Sequence, residues 1–377
     1  MLKVGLNLLF LGNRAGGVGR YATELVAALA QRDEIELELF TADGEPAELR
    51  RQPWAGRVRF TQLPVRRQQR ASYIAATFAA MPALAAAHRL DILHSPANVG
   101  PVVVPGVKSV ITVHDLIWMR AGDQWDTPAA IKAMRRSSTM TVPRASRIIT
   151  DSQASAQDLI ELLGVDQRRL DVVPLGVTVD GNAAVTAAPE LRSRLGLSGS
   201  RVILCVAQKR PYKRQDLLIR ALPDLPDDVM LVLPGEATAY EVQLRALAGD
   251  LGVGGRVIFP AWIDDADLEG LYRLADCFAL PSELEGFGLP VLEAMARGLP
   301  VACSNRTSLP EVSADAALLF DPGDQAAVTR ALAEILGDRQ LATELIGAGY
   351  KRAGQFSWQQ TADKTVASYE RALADSS

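Results

Sequence analysis

Glu285 and Glu293 stand either side of a Gly-Phe-Gly turn in PSELEGFGLPVLEAMARG, residues 281–298. The preceding CFALPS reads as a buried strand. Pro290 then opens a helix that Gly298 and Pro300 close. The loop therefore feeds a helix amino terminus, where unpaired N–H groups and a partial positive charge favour an anion. Gly286 and Gly288 let the backbone close on that anion without side-chain clash. Glu293 is expected in the first helical turn, where a carboxylate also complements the helix dipole, so it has a structural reading as well. Beside a phosphate site the two carboxylates are acceptors for hydroxyls. A molecule that carries both a diphosphate and many hydroxyls is a nucleotide sugar.

Three other stretches carry chemistry. VAQKRPYKR places Lys209, Arg210, Lys213 and Arg214 just after a strand, cations that a departing diphosphate needs as its charge builds. His114 and Asp115 end the strand SVITVHD, and a histidine at a strand's carboxyl end, in a chain with 3, is a functional candidate. His94 in DILHSP is placed similarly. GVGRYA, residues 17–22, fits G-x-G-x-x-A, with Asp43 near the end of the second strand, so nicotinamide binding is a reading of the motif alone. The long LGNRAGG loop argues against it, because a dinucleotide fingerprint wants a tight turn. Asp227-Asp228 and Asp264-Asp265 read as solvated turns, and neither forms an Asp-x-Asp loop for a metal.

These groups need a scaffold. The 377 residues, 48% hydrophobic, suffice for about two domains. A net charge of -4 argues against a general nucleic-acid binder. Short β-branched runs alternate with amphipathic stretches such as RYATELVAALAQ and LEGLYRLA, which predicts parallel sheets covered by helices on both faces. The alternation occurs twice, separated by VPLGVTVDGNAAVTAAPELRSRLGLSGS. The expected fold class is α/β with two doubly wound domains: 1–175, a linker 176–200, 201–357 and a terminal helix 358–377. Ligands belong at the carboxyl ends of the strands. MLKVGLNLLF reads as a first strand rather than a signal peptide, and no run reaches roughly 18 apolar residues, so a cytoplasmic location is expected. Cys205, Cys277 and Cys303 sit in apolar strand contexts and read as reduced core residues.

E-G-F-G-L-P-V-L-E closely resembles the E-x7-E signature of retaining glycosyltransferases with the GT-B fold, in particular family 4. The likeness covers most of the chain. VAQKRPYKRQDLLIRAL, LPG, VIFPAW and LLFDPGD follow the family's order in the carboxyl half, and AGGVGRYATEL, DILHSP, ITVHDLIW, ITDSQASAQDL and VVPLGV match more loosely in the amino half. The resemblance implies two Rossmann-like domains facing each other across a cleft, the first on the acceptor side and the second holding the donor. It implies that Glu285 contacts sugar hydroxyls and Glu293 the ribose. The N–H groups of Gly286, Phe287, Gly288 and Leu289 would meet the sugar and the distal phosphate. Lys213 aligns with the family's phosphate lysine. The usual Gly-Arg is Ala207-Gln208 here, which leaves Lys209 or Arg210 as the second cation, Lys209 being favoured. Gly17 and Gly19 would line the cleft floor near the donor phosphate and the acceptor, as part of the donor site, and His114 would contact a hydroxyl on the exocyclic carbon of the sugar. Glu285, His114 and Lys213 are thus the catalytic candidates. Transfer would retain the anomeric configuration, with the leaving phosphate taking the acceptor's proton and with neither metal nor other cofactor. The resemblance also implies that the last helix returns to the first domain, with Trp358 as a packing anchor.

The partners implied are a nucleoside diphosphate sugar, with GDP-mannose the first guess, and a glycan or lipid-linked acceptor. Residues 66–89, a basic start followed by an Ala-rich helix, suit peripheral contact with the inner face of a membrane, as does the basic KAMRR at 132–136. A buried helix with solvated ends explains 66–89 equally well. An epimerase, a non-catalytic nucleotide-sugar binder and a dehydrogenase are the alternative functions.

Overall fold

The computed structural model describes residues 1–11, 16–43, 47–65, 70–125, 127–179, 181, 184–260 and 263–375. The chain divides into two compact units. Met1–Gly122, Asp126–Gly176 and Ser357–Ser377 form unit 1, and Asp123–Trp125 with Val177–Phe356 form unit 2.

Unit 1 is built on β1 (Leu2–Asn7), β2 (Ile35–Ala42), β3 (Val58–Leu63), β4 (Ile92–Ser95), β5 (Lys108–Thr112), β6 (Arg147–Thr150) and β7 (Leu170–Val172). All pairings are parallel, in the order β3-β2-β1-β4-β5-β6-β7. Unit 2 is built on β8 (Arg201–Leu204), β9 (Val229–Val232), β10 (Val257–Ile258), β11 (Cys277–Leu280), β12 (Val301–Ser304) and β13 (Leu318–Phe320), also parallel, in the order β10-β9-β8-β11-β12-β13. Helices on both faces explain why β4, β6, β9, β11 and β12 are buried at every residue instead of alternating. In each sheet the order reverses beside one strand, β1 in unit 1 and β8 in unit 2. The crevice at the carboxyl ends there is where such sheets bind ligands.

The elements differ from the sequence reading in two places. The strand β7 was not expected, because LDV is too short to show a period. Much of the expected linker 176–200 belongs to unit 2, where the helix Ala188–Leu195 buries Leu191 and packs on the helix Asp265–Leu274. A Cβ at Gly270 would lie 2.5 Å from Leu191 Cδ1, so that glycine permits the approach. The helix Trp358–Ala374 is part of unit 1 and buries Trp358, Ala362, Val366 and Tyr369. Gly176 lies so close to it that a Cβ would run into the Trp358 backbone.

Of the stretch 66–89, residues 66–69 lie outside the described residues. In the remainder, Ala76, Met81 and Ala85 pack with Phe40, Leu63 and Leu93 in the core of unit 1. One apolar side of this stretch is therefore used inside the unit, as in the buried-helix reading, while Ile74 and Ala79 on another side are exposed. Among the described residues, no helix is long and apolar enough to cross a membrane. The three cysteines are free and buried. Burial pushes the Cys205 and Cys303 thiols up to about 12.

Candidate active site

In unit 2 the two strands at the reversal, β8 and β11, deliver the two candidate loops at their carboxyl ends. After β11, Pro281–Phe287 runs into the helix Leu289–Ala296, whose N-cap Gly288 has φ +99°. A Cβ there would be strained and would also meet Leu309 Cδ2 at 2.6 Å, so glycine is required on two grounds. Ser308 holds the turn by donating to the carbonyls of Phe287 at 2.9 Å and Glu285 at 3.1 Å. The helix starts at Leu289, with Pro290 second, so Glu293 is the fifth helical residue and lies beyond the first turn. This corrects its expected place. It is buried, its Oε2 accepts from Tyr272 Oη at 2.9 Å, and Arg297 donates to its carbonyl.

After β8, Pro211–Lys213 forms a short turn that ends in Arg214, a non-glycine residue at φ +51°. The turn brings Lys213 Nζ to 2.7 Å from Glu285 Oε1, with the two side chains only 13% and 11% exposed. Ser282 Oγ donates to the same oxygen at 2.8 Å. Both contacts fall on Oε1, which among the described residues leaves the Oε2 edge of the carboxylate available to hydroxyl donors. The site thus holds a cation, a carboxylate edge and a helix amino terminus within one unit.

Two expected contributors are placed differently. Lys209 is fully buried, donating to Gly235 O at 2.8 Å and lying 3.2 Å from Glu241 Oε2, while the carboxylate of Glu241 also meets Arg245. A buried ammonium needs such partners. Lys209 is therefore committed to the loop after β9, and its favoured role as the second phosphate cation is corrected. Arg210 donates to the carbonyl of Trp125, whose ring stacks on Tyr212. Arg214 pairs with Glu283 and Asp216.

In unit 1, Gly16 opens the helix Gly16–Leu29, and Arg20 is its fifth residue. Gly17 is exposed and Gly19 buried. A Cβ at Gly17 would meet no atom of the described residues within 4 Å. The preceding residues 12–15 of the loop lie outside the described residues. His114 lies just beyond β5 and is almost fully buried. Its Nδ1 is 2.7 Å from Asp151 Oδ2 and its Nε2 is 3.0 Å from Pro96 O. Both nitrogens face protein acceptors, so the ring offers no vacant nitrogen of the kind expected for a sugar hydroxyl. Burial works against its charge, but Asp151, the Pro96 carbonyl and Asp115 outweigh it and hold the imidazolium above the ordinary imidazole range. His94 has the opposite fate. It is fully buried, 2.8 Å from Thr112 Oγ1 and 2.7 Å from Tyr369 Oη, and burial together with the nearby His114 lowers its pKa to about 3. Asp151 was missed in the sequence. Its signal was a carboxylate directly after the strand RIIT, but the pairing requires β5 and β6 to be neighbours. Among the described residues, no group of three His, Cys, Asp or Glu is arranged to hold a metal.

Two families match this chain in succession. Glycosyltransferase Family 4 covers residues 15–180 and glycosyl transferases group 1 covers residues 188–352. The D-inositol 3-phosphate glycosyltransferase of Mycolicibacterium smegmatis is 30% identical over 96% of this chain and 87% of its own length. The O-antigen chain mannosyltransferase B of Escherichia coli is 29% identical over 94% and 96%. Anabaena HepE in complex with UDP and glucose has the same fold at a TM-score of 0.75, with 22% identity over 97% of this chain and 99% of that one. Sucrose-phosphate synthase of Thermosynechococcus elongatus gives a TM-score of 0.77 at 21% identity over the full length of both. Two doubly wound parallel units, a lysine–glutamate pair at a helix amino terminus and these matches lead to one conclusion: the chain is a GT-B glycosyltransferase belonging to family 4, the glycosyl transferases group 1.

Proposed function

We propose that the protein transfers a hexose from a nucleoside diphosphate sugar to a hydroxyl of a glycan or lipid-linked acceptor, retaining the anomeric configuration and using no metal. The observation that carries this reading is the Lys213–Glu285 pair at 2.7 Å beside the Gly288 turn in unit 2. Lys213 would meet the diphosphate and offset its growing charge as the glycosidic bond breaks, with the N–H groups from Gly286 to Leu289 adding the helix-terminus field. Glu285 would accept from sugar hydroxyls through the edge that Lys213 leaves open. Glu293, held by Tyr272, would accept from the ribose. No protein nucleophile is invoked: the departing phosphate takes the acceptor proton. Unit 1 would take the acceptor, with Gly17 and Gly19 in the first turn of their helix, near both the donor phosphate and the acceptor.

GDP-mannose remains the first donor, a choice supported by the mannosyltransferase among the relatives. A second reading of the acceptor, an inositol phosphate, is favoured by the match to a D-inositol 3-phosphate glycosyltransferase over 96% of this chain. The test is a panel of UDP-, GDP- and ADP-sugars incubated with and without chelator, with mannosyl glycans and inositol 3-phosphate as acceptors, each product's anomer read by NMR. Release of one nucleoside diphosphate that depends on acceptor, withstands chelator and fails in Glu285→Gln supports the proposal. An inverted product or a chelator-sensitive reaction overturns those parts of it, and donor binding without transfer favours a non-catalytic binder.

A further inference from the structure

We infer that Asp151 is a positioning residue that locks His114 as a doubly protonated imidazolium, so that unit 1 contributes a fixed positive charge rather than a proton acceptor. The geometry carries the inference. Asp151 Oδ2 lies 2.7 Å from Nδ1 and Pro96 O lies 3.0 Å from Nε2. A carbonyl oxygen only accepts, so Nε2 must carry hydrogen. On the Nδ1 side one proton is shared with a carboxylate; burial raises the Asp151 carboxyl, but the imidazole, which starts more basic by over two pH units, is raised in turn by Asp151 and keeps the proton. Asp151 is itself 2% exposed, and its other oxygen, Oδ1, is buried and has no hydrogen-bond partner among the described residues. The His114 ring is thus the group that balances this buried carboxylate.

The other groups around the ring agree. Tyr21 on the helix Gly16–Leu29 sets its ring edge-to-face against His114 at 4.7 Å, and burial pushes its phenol well above the usual range, so it stays neutral. His94 on β4 is kept neutral and communicates through Thr112, which bonds both it and Tyr21. Asp115, the next residue in the chain, adds negative potential and accepts from the Ile117 N–H. Asn98 Oδ1 accepts from the His114 N–H and Ser155 Oγ donates to the His114 carbonyl, which fixes the backbone as the two acceptors fix the ring. A ring that donates from both nitrogens cannot act as general base.

The structural arm of the inference is independent of the proposed glycosyl transfer, whereas the kinetic arm rests on it. With 3 histidines in the chain, ring nitrogen-15 NMR of the full-length protein assigns each by His→Gln substitution. We expect the His114 ring to remain doubly protonated at pH 8 in the wild type and to become neutral below that pH in Asp151→Asn, with Asp151→Glu restoring the charge. In the kinetic arm, kcat with the active nucleotide sugar is flat from pH 6 to 8 for the wild type. Asp151→Asn loses roughly ten- to hundredfold at pH 8, with KM for the donor changed less than kcat, and Asp151→Glu restores kcat; a merely structural role would move KM and kcat together. A wild-type His114 that is neutral at pH 7 overturns the inference without any variant, as does an Asp151→Asn protein whose His114 keeps its charge. If the wild type transfers no sugar at all, the proposed function fails while the NMR result still decides the role of Asp151.

Discussion

Replacing Lys213 by methionine removes one charge from a largely enclosed pair and separates what the pair does for folding from what it does for chemistry. At 2.7 Å, the attraction between Lys213 Nζ and Glu285 Oε1 is about 6 kcal/mol at an effective dielectric near 20. Desolvation of both ends cancels most of it, leaving about 1.5–3 kcal/mol, as for a charge-assisted hydrogen bond. Lys213→Met therefore lowers the urea midpoint by about 1 M at a slope near 2 kcal/mol/M. Catalysis should suffer more. A lost electrostatic contact to a departing oxyanion costs about 10²–10³ in kcat. The double variant Lys213→Met/Glu285→Gln has no unpaired charge, and its new amide oxygen can still accept from Ser282 Oγ. It should regain most of the stability and none of the activity. The measurements are urea unfolding by circular dichroism and initial rates of nucleoside diphosphate release. A Lys213→Met enzyme within threefold of wild-type kcat, or a double variant that recovers activity along with stability, would refute the assignment of Lys213 to the leaving diphosphate.

Gly288→Ala should destabilise unit 2 by about 1–3 kcal/mol, since its φ of +99° and the contact with Leu309 both resist a methyl group. Gly17→Ala, with open space around its Cβ, should leave the melting temperature unchanged or slightly raised. Calorimetry of the two side by side checks both. Tyr272→Phe leaves the buried Glu293 one donor short and should raise KM for the nucleotide sugar several-fold while changing kcat less. Stability should also depend on pH through the two buried histidines of unit 1. Because His94 has a folded pKa near 3, below its unfolded value, its contribution is present above pH 6.5 and is lost as pH falls toward 3, at about 1.4 kcal/mol per pH unit. His114 is raised, so its contribution is full below pH 6.5 and declines as pH rises through its folded value. Urea titrations from pH 4 to 9 should show both limbs. His94→Asn should flatten the acid one.

How far the sequence reached depended on the range of the interaction. The loop Ser282–Gly288, its glycines and the following helix were legible because turn chemistry and capping act over a few residues. Even there Glu293 fell beyond the first turn, since Leu289 already takes helical geometry. The strand run CFALPS was visible as a short apolar run ended by a proline, whereas LDV was too short to register. The helix inside 176–200 was lost because its outward face is polar and it buries Leu191 alone.

Sequence by itself determined the alternation of strands and helices, the pair of parallel sheets, and the Gly-Phe-Gly turn with its two carboxylates, because each is encoded by residues near one another along the chain. Only tertiary structure decided which charges meet. Lys213 and Glu285 are 2.7 Å apart because β8 and β11 are neighbours. Lys209, four residues from Lys213, turns instead to the buried Glu241, and the His114 imidazole is raised because β6 carries Asp151 to its side. Burial and a partner's distance fix the state of an ionisable group, and both are set by strand order, which the local sequence does not contain.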